Sequence, residues 1–126
     1  MNYDYSQLKG LAGVYLEDSY VLSISESPDE FTFALEAVLT LESPHYQPPK
    51  PDEQYCYALG RLTFREVARV TWLLRSTQTF TDATGDVDLG NIDSLGFEMG
   101  VYVAEGDWGR VEIRSTEPQF IFDRIA

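Results

Sequence analysis

Oxygen-bearing side chains recur through one short segment of the chain, residues 82–93. Calcium takes several oxygen ligands, which a tight loop supplies from alternating positions. The spacing therefore predicts a calcium-type metal site, whose candidate ligands are Asp82, Asp86, Asp88, Asn91 and Asp93.

The same segment departs from the EF-hand pattern at three positions. Gly90 stands where a third oxygen ligand belongs, Asn91 where a glycine belongs and Phe97 where a bidentate acid belongs. The alternative interpretation is an acidic surface connection, in which Asp and Asn side chains accept hydrogen bonds from nearby backbone and glycines adopt positive φ. Both interpretations stay open at the level of sequence.

The chain offers few groups for nucleophilic catalysis or for zinc. His45 is its only histidine and Cys56 its only cysteine, which excludes a zinc site built from several imidazoles or thiolates. No Gly-x-Ser-x-Gly segment accompanies His45, so serine-hydrolase chemistry has weak support. Acid pairs could cleave a glycosidic bond, but 21 carboxylates leave every pairing unconstrained. We assign no catalytic residue, and we predict that Cys56 is a small buried hydrophobe.

Eight tyrosines contribute to an aromatic content of 13%. Tyrosine joins apolar area to a polar tip, which suits the rim of a pocket or interface as well as ordinary sheet packing. We predict that a protein partner contacts Tyr46, Tyr55, Tyr57 and Trp108. Trp108 follows Gly106 and Asp107 at a predicted hairpin tip, where it is either a core plug or an exposed anchor.

The arginines fall into pairs on predicted strand faces. Arg110 and Arg114 share one face with Glu112, and Arg61 and Arg65 share another. Cross-strand ion pairs on an exposed sheet face are the ordinary expectation, each contributing about 0 to 1 kcal/mol. The alternative is an arginine patch for an anionic ligand.

Nine basic residues stand against 21 acidic ones, for a net charge of -12. A phosphate backbone or an anionic membrane surface would mostly be repelled, so we expect neither nucleic acid nor membrane as a partner. The sequence contains no apolar run of 18 residues and no readable signal peptide. These features predict a soluble, cytoplasmic protein.

Most of the chain shows the period of two that is typical of strands. Residues 20–25 and 31–40 alternate around a turn at residues 27–30, which predicts a hairpin. Four prolines within residues 43–52 exclude a strand there. Further strands are predicted at residues 55–64, 67–75, 95–99, 101–105, 110–115 and 119–123, with a long loop over 76–93.

One segment shows helical spacing instead. Tyr5, Leu8 and Leu11 lie three residues apart within residues 4–13, which predicts one short amphipathic helix. About eight strands with one helix predict a single mostly-β domain over residues 1–126, an antiparallel sandwich or an open barrel.

Three strings together resemble those of a family of short acidic bacterial proteins without an assigned activity. The strings cover residues 14–20, 88–93 and 106–109, and the resemblance extends over nearly the whole chain. It implies a bacterial origin and supplies no activity, cofactor or catalytic residue.

The function predicted from these observations is a non-enzymatic acidic binding module that engages a protein partner, with a basic protein as the type that its charge favours. Small acidic inhibitors of basic toxins, such as nuclease immunity proteins, follow the same electrostatic logic. The alternative is a small-ligand or calcium-binding β domain that uses residues 82–93. The expected assembly is a monomer or a homodimer.

Overall fold

A computed structural model describes residues 3–126, and these residues form a mostly-β fold. The fold contains eight longer strands and three strands of two residues each, Tyr3–Asp4 (β1), Phe80–Thr81 (β6) and Val87–Asp88 (β7). The longer strands are β2 (Val14–Ser27), β3 (Glu30–Leu39), β4 (Cys56–Arg65), β5 (Arg69–Arg75), β8 (Ile92–Glu98), β9 (Val101–Gly106), β10 (Gly109–Arg114) and β11 (Gln119–Ile125). The eight longer strands correspond to the eight predicted, whereas β6, β7 and the start of β8 lie within the segment predicted as a loop over residues 76–93.

Two antiparallel sheets pack face to face. One sheet has five strands in the order β1-β8-β9-β10-β5, and the other has four in the order β11-β4-β3-β2. The strands β6 and β7 form a separate small ribbon. No sheet within residues 3–126 closes on itself, so the structure is a sandwich and not a closed barrel.

Aromatic side chains hold the two sheets together. Phe33 of the four-stranded sheet contacts Trp108 at a ring-centroid distance of 4.9 Å, and Phe64 meets Tyr102 of the five-stranded sheet at 5.9 Å. Such tilted ring pairs contribute about 0.5–1.5 kcal/mol beyond the apolar area that they bury. Alternation along β3 supplies one half of this core, because Phe31, Phe33 and Leu35 all point inward.

The predicted N-terminal helix is wrong in type. Two short 3-10 turns, Tyr5–Gln7 and Lys9–Leu11, stand in its place, and extended backbone at Leu8 separates them. Tyr5, Leu8 and Leu11 are nevertheless buried as their spacing predicts, because residues three apart lie on the same side of a 3-10 turn. A segment this short has too little length to stabilise an α-helix by itself.

The strand β2 carries a large bulge that the sequence pattern does not show. Tyr15 pairs with Val38 and Tyr20 pairs with Glu36, so residues 16–19 stand opposite a single residue of β3. Ser19 is fully buried inside the bulge. Its hydroxyl accepts a hydrogen bond from the Val38 N–H at 2.9 Å and so replaces a lost bond of the ladder.

The segment between β5 and β8 returns to β2. The Val21 N–H donates to the Gly90 carbonyl, and the Leu89 N–H donates to the Val21 carbonyl, both at 2.8 Å. Residues 76–90, which include β6 and β7, are called the acidic ribbon below. These backbone bonds place the acidic ribbon beside the four-stranded sheet.

The proline-rich segment is irregular, as predicted, and lies against β11. The His45 ring stacks on Phe122 with centroids 4.0 Å apart and an interplanar angle of 3°. Within residues 3–126, no helix has the length and apolar character needed to cross a bilayer.

Candidate functional site

A groove of about 890 Å³ lies on the outer face of the four-stranded sheet, and we call it the acidic groove. Its floor comes from β2, β3 and β4, and the acidic ribbon borders it. Five carboxylates line it: Glu36, Glu53, Asp82, Asp86 and Asp88. Carboxylates far apart in the sequence therefore meet in one concavity.

Two tyrosines form an aromatic floor. Tyr20 and Tyr57 face each other with centroids 6.3 Å apart and an interplanar angle of 28°. Tyr55 stands edge-on to Tyr57 at 6.0 Å, and its hydroxyl donates to Asp18 at 2.6 Å. The floor offers ring faces beside carboxylates, which is the environment that an organic cation prefers.

Hydrogen bonds within the acidic ribbon hold its turn in shape. One oxygen of Asp82 accepts from the Thr84 N–H at 2.8 Å, the Thr84 hydroxyl at 2.7 Å and the Asp86 N–H at 3.0 Å. The hydrogen bonds from Thr84 keep the pKa of Asp82 below its usual value. Asp88 accepts from the Gly90 N–H at 2.7 Å. These hydrogen bonds hold the Asp82 and Asp88 carboxylates in place at the groove, and those from Thr84 favour the charged form of Asp82.

Burial and, to a smaller extent, like charge perturb the titratable groups of the acidic groove. Burial is the main reason that the pKa of Glu36 is raised, and the carboxylates of Glu53 and Asp86 raise it further. Burial, with smaller contributions from Tyr20 and Glu36, also raises the pKa of Tyr57 to about 12. With five acidic side chains against one lysine in its lining, the groove has an excess of negative charge.

Lys50 is the one cationic residue among the described side chains that line the groove. Its ammonium group donates a hydrogen bond to the Ala126 carbonyl. This contact holds Lys50 at one end of the groove and leaves the ribbon carboxylates without an ion pair from it.

The candidate metal ligands lie in three different places. Asp82, Asp86 and Asp88 line the acidic groove, whereas Asp93 lines a recess on the five-stranded sheet. Burial and the charge of Asp107 raise the pKa of Asp93. The Asn91 side chain donates to the Ser19 carbonyl at 2.8 Å and so supports the bulge of β2. Within residues 3–126, no three His, Cys, Asp or Glu side chains are grouped to hold a metal ion.

The predicted partner contacts also occupy different places. Tyr57 lines the groove and Tyr55 adjoins it, whereas Tyr46 packs against the core from the proline-rich segment. Trp108 lies in the core, 1% exposed, because its ring fills the space between the sheets and its indole N–H donates to the Asn91 carbonyl at 3.1 Å. Of the two interpretations of Trp108, the structure shows the core plug.

Sequence reasoning did not single out three residues of the groove: Tyr20, Glu36 and Glu53. For Glu36 a signal was present, since it occupies the polar face of an alternating strand whose other face is buried. No local signal marks Glu53, because its place depends on how the proline-rich segment crosses the sheet.

Comparison with protein-family models, with curated proteins and with solved structures gives no match for this chain. The resemblance to short acidic bacterial proteins therefore stays a prediction.

Proposed function

We propose that this chain is a non-enzymatic binding module whose acidic groove takes up a basic segment of a protein partner. The observation that carries the proposal is the convergence of five carboxylates and two tyrosines on one groove of about 890 Å³. Lysine and arginine side chains satisfy both groups, since carboxylates accept their hydrogen bonds and ring faces attract their charge.

One arginine of the chain is already held by an aromatic ring face and a carboxylate together. Arg75 places its guanidinium carbon 4.2 Å from the ring centroid of Trp72 and donates to Glu26 at 3.2 Å. An arginine of a partner would meet the same combination at Tyr57 and Glu36. The internal contact thus illustrates how a bound arginine would be held.

The charge distribution supports encounter with a basic partner. Ten acidic residues follow Arg75 along the chain, against three arginines. A negative field of this kind speeds the approach of a positively charged partner and discriminates between partners more than it sets affinity.

Calorimetric titration with a short arginine- and lysine-rich peptide tests the proposal, with an acidic peptide of equal length as the control. We expect binding of the basic peptide that weakens steeply with salt. The groove variant Glu36→Gln/Asp86→Asn/Asp88→Asn should lose affinity by about tenfold or more, which corresponds to about 1.4 kcal/mol. The amides keep the size of the side chains, and the amide oxygen introduced at position 88 can still accept the hydrogen bond from the Gly90 N–H.

A matched control removes three charges from elsewhere, by Glu98→Gln, Glu105→Gln and Glu117→Gln. These residues are exposed and do not line the groove. Equal loss of affinity in both variants would show a diffuse charge effect and contradict a groove site. Equal binding of the acidic peptide would contradict the proposal outright.

The calcium alternative is tested on the same sample by thermal unfolding. A ligand at 100 times its dissociation constant adds about 2.7 kcal/mol of stability. An unchanged midpoint at millimolar calcium would reject that alternative and leave the peptide titration unaffected.

A further inference from the structure

Two arginines stand directly opposite each other on the five-stranded sheet. Arg69 of β5 is the register partner of Arg114 of β10, and both side chains are exposed. Like charges opposite each other across an antiparallel pair are destabilising. The arrangement is unexpected in a chain that has 21 acidic residues available as partners.

Three other arginines are paired with acids, whereas Arg110 and Arg124 form no ion pair within residues 3–126. Arg61 contacts Asp123 at 3.3 Å, Arg65 contacts Glu30 at 3.8 Å and Arg75 contacts Glu26 at 3.2 Å. Within residues 3–126, neither Arg69 nor Arg114 forms an ion pair. The expectation of cross-strand ion pairs therefore holds for Arg61 and Arg65 and does not extend to Arg110 or Arg114.

The opposed arginines border a recess of about 190 Å³. Thr71, Val101 and Glu112 complete its lining, and Thr71 is the register partner of Glu112. The recess therefore offers two guanidinium groups and one hydroxyl around a space that a small anion fits.

From this geometry we infer that Arg69, Arg114 and Thr71 form a binding site for an oxyanion, a carboxylate or a phosphate. The planar guanidinium group donates parallel hydrogen bonds that match the oxygens of both anions. A bound oxyanion would also offset the repulsion between the two arginines. The site lies on the other sheet from the acidic groove, so it does not rest on the function proposed above.

Glu112 limits the strength of the site. Its carboxylate lines the same recess and opposes any anion there. The neutral variant Glu112→Gln should therefore bind anions more tightly than the natural chain.

Nitrogen-15 NMR of the full chain tests the site by titration with sodium phosphate and, separately, with sodium acetate. Sodium chloride keeps the ionic strength constant, because exposed charges are screened by salt. We expect saturable shifts of the Nε–H signals of Arg69 and Arg114. Saturation by acetate alone would identify a carboxylate ligand, saturation by phosphate alone would identify a phosphate ligand, and saturation by both would show a site for oxyanions in general.

Variants make the test specific. Arg114→Gln should weaken binding by about tenfold, the scale of a hydrogen bond to a charged group. Glu112→Gln should strengthen it by about twofold to fivefold. Arg61→Gln, which removes an arginine from a paired position on the other sheet, should leave binding unchanged. Shifts that never saturate, or that spread equally over Arg61, Arg65 and Arg75, would overturn the site.

Discussion

Ser19 is a buried residue that forms hydrogen bonds with three different segments of the chain. It donates to the Tyr15 carbonyl at 2.6 Å and accepts from the Val38 N–H at 2.9 Å. The backbone carbonyl of Ser19 accepts a hydrogen bond from the Asn91 side chain. The backbone carbonyl of Asn91 in turn accepts one from the indole N–H of Trp108. A buried polar group is stabilising only when it is paired in this way.

Replacing Ser19 with alanine should destabilise the protein by about 1–3 kcal/mol, because the buried Val38 N–H would lose its acceptor. Urea unfolding measures the difference. Ser23→Ala is the matched control, since Ser23 lies on the same strand and is exposed. Equal effects of the two substitutions would contradict the role of the Ser19 hydroxyl.

Glu36 should make stability depend on pH in a defined direction. Its pKa in the folded protein is raised above the usual value of 4.5, so the folded state keeps the proton to higher pH than the unfolded chain. This contribution to stability is present below pH 4.5 and is lost as pH rises through the raised pKa.

Glu36→Gln should therefore be more stable than the natural chain at pH 7, and the difference should shrink in acid. Urea unfolding at both ends of the range measures it, with the exposed Glu98→Gln as the control. A variant that is less stable than the natural chain at pH 7 would show that Glu36 is not under electrostatic strain.

At the scale of elements, the acidic ribbon depends on one glycine at its end. Gly90 has φ +96°, and a side chain there would overlap the carboxylate of Asp107. Gly85 has a similar φ of +93° at the tip of the ribbon, but its added Cβ would have no atom within 4 Å. An alanine would therefore meet a similar unfavourable φ at both positions, and a steric overlap at position 90 alone.

Gly90→Ala should therefore destabilise the protein more than Gly85→Ala. A left-handed residue other than glycine costs about 1–2 kcal/mol, and only Gly90→Ala adds a steric overlap. Chemical unfolding of the two variants measures the difference, and an equal loss of stability would contradict the packing constraint at Gly90.

Elements were predictable where local pattern and tertiary packing agree. The β2–β3 hairpin was correctly predicted because Phe31, Phe33 and Leu35 alternate along a half-buried strand. The bulge of β2 was not predicted, because the alternation is interrupted at residues 16–19. The reason for the interruption is a tertiary contact, the hydrogen bond from the Val38 N–H to the Ser19 hydroxyl. The first turn was assigned the wrong helix type, since spacings of three and of 3.6 differ little over so short a segment.

The candidate site was predictable only in part. Asp82, Asp86, Asp88 and Tyr57 were singled out from the sequence, and the structure places all four at one groove. Their convergence depends on the pairing of Val21 with Leu89 and Gly90, which lie far along the chain. Contacts of such long sequence separation leave no local pattern, so Glu53 could not be added to the site. For Glu36 the alternation of β3 marks the polar face of the strand but not the groove that this face borders.

At the scale of the whole molecule, salt should act on stability and on binding in opposite directions. A net charge of -12 repels itself in the compact state, and this repulsion is screened as the Debye length falls from about 30 Å at 0.01 M to about 8 Å at 0.15 M. We expect the thermal midpoint to rise with sodium chloride over this range, while affinity for a basic peptide falls. A midpoint that stays constant would contradict the repulsion.

The tryptophan side chains and the tyrosines of the groove lie in different parts of the molecule, so their spectroscopic signals report different regions. Trp72 and Trp108, the chain's two tryptophans, meet at 6.0 Å in an edge-to-face pair, and neither lines the acidic groove. Tryptophan emission therefore reports the buried Trp108 and the half-buried Trp72 beside it, whereas the groove contributes to tyrosine absorbance through Tyr20 and Tyr57. A ligand in the groove would change the tyrosine signal and leave the tryptophan signal in place until the sandwich itself unfolds.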